Sequence, residues 1–175
     1  MKRRIFLLGL AFLVFSCGKD QKVVISGESI DVYFSPNGGA LSAIVREIDR
    51  AKGTLDIAMF SFTSREIGDA VLRAKQRGVK VRIILDQGQA KERFSRYPLF
   101  LQANIPVKLL PGGEKKFIKG LMHNKFAVID GKEVITGSYN WTASAEKLNY
   151  ENLLIIRSPD LAKKYEDYFE KMWER

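Results

Sequence analysis

The stretch HNKFAVIDGKEVITGSYNW, residues 123–141, reads as two strands joined by a tight turn. His123 to Ile129 is apolar and β-rich, Asp130-Gly131 is a strong type I′ turn signal, and Lys132 to Ser138 is the return strand. With Asp130 and Gly131 as the central turn residues, Ile129 pairs with Lys132, Ala127 with Val134 and His123 with Ser138. Side chains alternate along a strand, so His123 and Lys125 share a face. Opposed residues lie about 4.5–5.5 Å apart at Cβ. The turn therefore gathers His123, Lys125 and Ser138 on one patch, with Asn140 just beyond it.

Upstream of this hairpin, strands and helices alternate. Asp31 to Phe34 reads as a short strand, and residues 40–52 as a helix with Leu41, Ile44, Val45 and Ile48 on its apolar face. Thr54 to Phe62 reads as a buried strand, followed by a helix that Ser64 caps and Gly78 closes. Val79 to Leu85 is a further buried strand ending at Asp86, residues 88–103 read as a helix, and Pro106 to Leu110 as a short strand. Downstream of the hairpin come a short helix near 142–148, a strand from Glu151 to Arg157 and a last helix from Pro159. In that helix Leu161, Tyr165, Tyr168, Phe169 and Met172 share a face. Three successive βα units predict an α/β fold, with a mixed, largely parallel sheet flanked by helices on both faces.

The N-terminus reads as an address. Lys2, Arg3 and Arg4 precede an apolar run from Ile5 to Phe15, and Ser16-Cys17 follows. The run is shorter than the roughly 20 residues a membrane-spanning helix needs. Residues 1–16 are expected to be a signal peptide, 17–30 a tether and 31–175 the folded domain, placed outside the cytoplasm.

Of 175 residues, 46% are hydrophobic and 28% charged, which suits one globular domain. One cysteine excludes an intrachain disulfide framework, and one histidine excludes a metal site needing two His from the same chain. A formal net charge of +9 favours anionic partners, nucleic acid or acidic lipid. Asp31, Asp56, Asp69 and Asp86 are scattered and read as caps and strand ends rather than a two-metal site. Neither a metal nor a cofactor is called for.

The His123 patch supplies a nucleophile or base, a fixed cation and two neutral hydrogen-bonding groups. That set suits a phosphate, whose oxygens need donors and whose phosphorus needs an attacking group. The preceding loop, Gly113 to Met122, leads directly into His123. Its Lys115, Lys116 and Lys119 suit a phosphate backbone and Phe117 a stacked base. The same mixture also suits an anionic membrane surface.

The quoted stretch resembles the H-x-K-x4-D-x6-G-S-x-N signature of the phospholipase D superfamily, with every defined position matched. The likeness extends from about Val32 to Trp173 and is nearest to the small single-motif bacterial endonucleases and the cardiolipin hydrolase-like proteins. It implies a phospholipase D-like sandwich and a metal-independent phosphodiesterase. By resemblance His123 attacks phosphorus, Lys125 and Asn140 hold phosphoryl oxygens, Ser138 supports the site, and Glu151 orients the nucleophilic histidine. Asp130 belongs to the same signature, yet its place at the turn, on the face opposite His123, makes it mainly structural. The N-terminal segment resembles a bacterial lipobox with Cys17 as the lipidated residue, giving membrane attachment. The two-step reaction needs two acid/base groups, and each chain has a single His. A symmetric homodimer with both His123 residues in one shared site is therefore expected.

Overall fold

The computed structural model describes residues 21–25, 28–115 and 118–175. In chain order the strands and helices are β1 (Gln21–Ile25), β2 (Glu28–Ser35), α1 (Ala40–Arg50), β3 (Thr54–Met59), α2 (Arg65–Gln76), β4 (Lys80–Asp86), α3 (Tyr97–Gln102) and β5 (Val107–Leu110). They continue with β6 (Glu114–Lys115), β7 (Ile118–Lys119), β8 (Lys125–Ile129), β9 (Glu133–Gly137), α4 (Ala143–Lys147), β10 (Glu151–Arg157) and α5 (Pro159–Trp173). One sheet of eight strands runs in the order β1-β2-β10-β9-β8-β3-β4-β5, and β6 with β7 forms a small separate hairpin.

The sheet is mixed, as expected, but it is not largely parallel. Only β3–β4 and β4–β5 are parallel neighbours; the other five pairs are antiparallel. The three βα units do run in one direction, since four antiparallel steps separate β2 from β3. However, β10, β9 and β8 insert between those two strands, so the first crossover does not make an adjacent parallel pair. Local pattern cannot show that insertion, because it joins the two halves of the chain.

Helices cover both faces. Ile44 and Ile48 of α1 and Ile67 and Val71 of α2 pack with Leu55, Ile57, Val81 and Ile83 of the sheet. Ser64 caps α2, its Oγ accepting the N–H of Ile67. On the other face Ala162, Phe169 and Met172 of α5 cover Ala58, Ile84, Phe126, Val128 and Val134. Tyr168, assigned to that apolar face, lies largely in solvent.

Two boundaries move. The helix expected over 88–103 is a 3₁₀ turn, Gln89–Lys91, followed by the short α3. Pro98 suits the first turn of a helix and not its interior, so the helix starts at Tyr97. Residues 21–25 and 28–30 of the stretch read as a tether are strand, because β1 and β2 pair as an antiparallel edge. The expected signal peptide, residues 1–16, and Cys17 lie outside the described residues.

The hairpin register also shifts by one. Asp130 and Gly131 adopt φ of 54° and 62° and Lys132 donates to Ile129 O at 3.0 Å, so the turn is the expected one. Lys132 is nevertheless an extra residue, and Ile129 pairs with Glu133 rather than with Lys132. A one-residue slip would send every later side chain to the wrong face. The far end of β9 reverses it. Ser138 and Tyr139 both donate their N–H to Asn152 O, at 3.1 and 3.3 Å, a β-bulge of two residues against one. Gly137 makes this possible: its φ is +150°, and a Cβ there would sit 2.3 Å from Asn152 O.

Candidate active site

The site sits at one end of the sheet, where β3 ends, β8 begins, β9 ends in its bulge and β10 begins. His123 precedes β8 and is exposed. Its backbone is held on both sides. Phe60 N–H donates to Asn124 O at 2.8 Å, and Met122 N–H donates to the buried Asp86 carboxylate at 3.1 Å. The imidazole meets the Phe60 ring edge-to-face at 4.6 Å between centroids.

Lys125 points to the same side, as alternation predicts. Its Nζ lies 3.3 and 3.2 Å from the two ring nitrogens of His123 and donates to His123 O at 3.0 Å. It also sits 5.2 Å over the Phe60 ring. Burial lowers the Lys125 pKa from its ordinary range, partly offset by the charge of Glu151.

The bulge delivers Ser138 to Glu151, its Oγ donating to the carboxylate at 2.5 Å. Asn149 Nδ2 donates to the other carboxylate oxygen at 3.1 Å, and Asn152 N–H donates to Ser138 Oγ at 3.1 Å. Ser35 Oγ, at the end of β2, accepts the N–H of Glu151 and donates to Asn149 O. Glu151 is thus fixed by Ser138 and Asn149, and among the described residues its carboxylate makes no hydrogen bond to His123 of its own chain. Asn140 follows on the same segment. Its Oδ1 is buried and unpaired among the described residues, a group left with unspent hydrogen-bonding capacity.

Asp130 is not part of this cluster. It lies at the opposite end of the hairpin and accepts the backbone N–H groups of Lys52, Gly53 and Thr54 at 3.0, 2.6 and 2.9 Å. Burial opposes ionisation there, but those three donors win and hold the carboxyl below its ordinary range. It ties the turn to the loop between α1 and β3.

The loop before His123 is partly described. Lys119 is exposed on β7, and Lys115 closes β6. Lys116 and Phe117 lie outside the described residues. Phe60 and Asp86 were missed as contributors in the sequence. Both sit where parallel strands end, the edge at which ligands gather in α/β sheets.

Among the described residues no group of three His, Cys, Asp or Glu is placed to hold a metal ion. Nor is any helix of the described residues long and apolar enough to cross a membrane. The cluster presents an open imidazole, an ammonium group and a hydroxyl–carboxylate pair, suited to attack on phosphorus between fixed donors.

A family model described as "Cardiolipin synthase, PLD-like domain" matches residues 44–173. "Phospholipase D" of Rickettsia felis is 39% identical over 136 residues, which cover 78% of this chain and 65% of that protein. "Mitochondrial cardiolipin hydrolase" of Homo sapiens is 36% identical over 141 residues, covering 80% of this chain and 54% of that one. The chain thus spans just under two thirds of the first and about half of the second. Among solved structures, NucT from Helicobacter pylori superimposes with a TM-score of 0.78 at 32% identity, covering 84% of this chain and 96% of that one. Nuc from Salmonella typhimurium, described as a phospholipase D family member, gives 0.74 at 31% identity, with 84% and 95% covered. With the β8–β9 hairpin and the start of β10 bringing His123, Lys125, Ser138 and Glu151 to one end of the sheet, and a family match over most of its length, the chain belongs to the phospholipase D superfamily.

Proposed function

We propose that the protein is a metal-independent phosphodiesterase that cleaves nucleic acid through a phosphohistidine at His123. The observation that carries this reading is the exposed His123 ring with Lys125 Nζ 3.2 and 3.3 Å from its nitrogens. The neutral imidazole attacks phosphorus, the bond to the leaving oxygen breaks, and that oxygen takes a proton from a second imidazole. Water then attacks the phosphohistidine, giving its proton back to the same second imidazole, and His123 leaves as neutral imidazole. The Lys125 ammonium and the side-chain N–H groups of Asn140 meet the charge that develops on the phosphoryl oxygens. Glu151 fixes Ser138 and offsets the Lys125 charge. The donor set is one imidazole, one ammonium and a single carboxylate, which suits general acid–base chemistry better than a metal centre.

Because the chain has one histidine, the second imidazole is His123 of a second copy. The functional unit is a symmetric dimer with one site shared between two chains. Cys17 is proposed as a lipidated anchor that holds the domain at a membrane outside the cytoplasm.

Two observations support a nucleic acid as substrate. The chain is strongly basic, and its likeness to NucT and Nuc runs over nearly the full length of both. A second reading, hydrolysis of an anionic phospholipid, is favoured by the names of the curated relatives and by the proposed anchor. Single-stranded DNA, RNA and anionic phospholipid vesicles, each offered in excess EDTA, separate the two. The nucleic acids are expected to be cleaved at an undiminished rate in EDTA. Turnover of lipid alone would defeat the nuclease reading, and loss of every activity in EDTA would defeat the metal-free mechanism.

A further inference from the structure

The loop between β4 and α3, residues 87–96, carries an aromatic–cation pair with no role in the core. Phe94 is 70% exposed. The Arg93 guanidinium lies over its ring, 5.2 Å from the centroid. Neither Lys91 nor Arg93 forms an ion pair among the described residues, and both are exposed.

The loop is tied to the site at both ends. Asp86 accepts the N–H groups of Gly88 and Gln89 on one carboxylate oxygen, at 2.9 and 3.0 Å. Its other oxygen accepts Met122 N–H, next to His123, at 3.1 Å. At the far end Arg96 N–H donates to Phe62 O at 3.0 Å, two residues from the Phe60 ring that touches His123. Phe94 is two residues from Arg96. Each two-residue step spans at most about 7 Å of chain, so the pair lies within a few nucleotides of the nucleophile.

We propose that Phe94 and Arg93 form a stacking platform for a base of single-stranded nucleic acid, a few nucleotides from the scissile phosphate, with Lys91 meeting the adjoining backbone. This inference rests on the nuclease reading and adds a binding subsite to it. A single strand offers an apolar base face and a phosphate in alternation, and the loop offers a ring and cations in the same order. A guanidinium resting on the ring suits a base and its phosphate together, since both faces of the pair are planar. The same contact argues against insertion of Phe94 into a bilayer, which would draw the guanidinium toward the acyl chains.

The test uses full-length protein carrying His123→Asn, which binds without turnover, and a fluorescent oligo-dT read by anisotropy. Adding Phe94→Ala is expected to raise the dissociation constant about 5- to 100-fold, the range of one lost base stack. Phe94→Trp is expected to keep or tighten binding, and Tyr168→Ala, an exposed aromatic on α5, to leave it unchanged. Oligonucleotide affinity of Phe94→Ala within twofold of the parent would overturn the proposal. So would a Phe94→Ala protein that loses affinity for anionic vesicles while keeping it for oligo-dT. Cleavage of oligo-dT by the protein with His123 intact separately reports the nuclease reading, so failure of that reading and failure of the platform are distinguishable.

Discussion

At the scale of single residues, the account turns on an imidazole and the groups that hold it. His123→Asn should abolish hydrolysis of bis(p-nitrophenyl) phosphate, and by more than the roughly 10²–10⁴-fold typical of losing general acid catalysis alone. A loss smaller than that range would remove His123 as nucleophile. Lys125 gives a pH signature. Its pKa is lowered by burial, so its charge is lost on the alkaline side earlier than for an ordinary lysine. The fall of kcat at high pH should start below the usual lysine range, and Lys125→Arg, if it retains turnover, should push that fall upward, because guanidinium stays charged. An unmoved alkaline limb would show that Lys125 does not carry the charge that matters. That His123 and Lys125 share a face was legible in the sequence because alternation along a strand is a local rule, whereas Glu151 entered only through the family resemblance. The partner of Glu151 was not legible: which hydroxyl or amide reaches a carboxylate depends on strands far apart in the chain.

At the scale of elements, the hairpin from β8 to β9 shows what a local reading captures and what it misses. The turn residues announced themselves by type. The extra residue Lys132 did not, since it accompanies long-range bonds, Asp130 to residues 52–54 and Ser158 N–H to Lys132 O. Gly137, a position of the signature, gave no local sign that it opens the compensating bulge. Gly137→Ala should therefore destabilise the protein by about 1–3 kcal/mol, the usual range for a strained backbone position, and displace Ser138 from Glu151. A thermal melt together with activity checks this; an unchanged Tm would contradict the bulge geometry. Glu133, at the start of β9, offers a second test. Burial first, then the charges of Glu47 and Asp31, push its pKa up to about 7 despite Arg157. Between the ordinary value of 4.5 and about 7 the folded state holds a proton that the unfolded state has lost. Stability from this group is full below that window and is lost as pH rises through it. Tm should fall from pH 5 to pH 7.5 more steeply in the parent than in Glu133→Gln, and equal slopes would refute the assignment.

At the scale of the whole molecule, the βα rhythm of the first half and the hairpin of the second were each readable, but their arrangement was not. Insertion of β10, β9 and β8 between β2 and β3 turns a mixed sheet expected to be largely parallel into a mainly antiparallel one. It also brings the start of β8 and the end of β9 beside the carboxyl end of β3, where Phe60 meets His123. The chain offers one imidazole to a proposed reaction that needs two, and the complete site is proposed to belong to a pair of chains. One experiment joins the chemistry to that assembly: rapid acid-free quenching of turnover on a radiolabelled phosphodiester in EDTA, followed by tryptic digestion and counting of label. The label should reside in the Gly120–Lys125 peptide, on His123, at no more than one per two chains. Turnover that leaves no label there, or one labelled His123 in every chain, would contradict the shared phosphohistidine site.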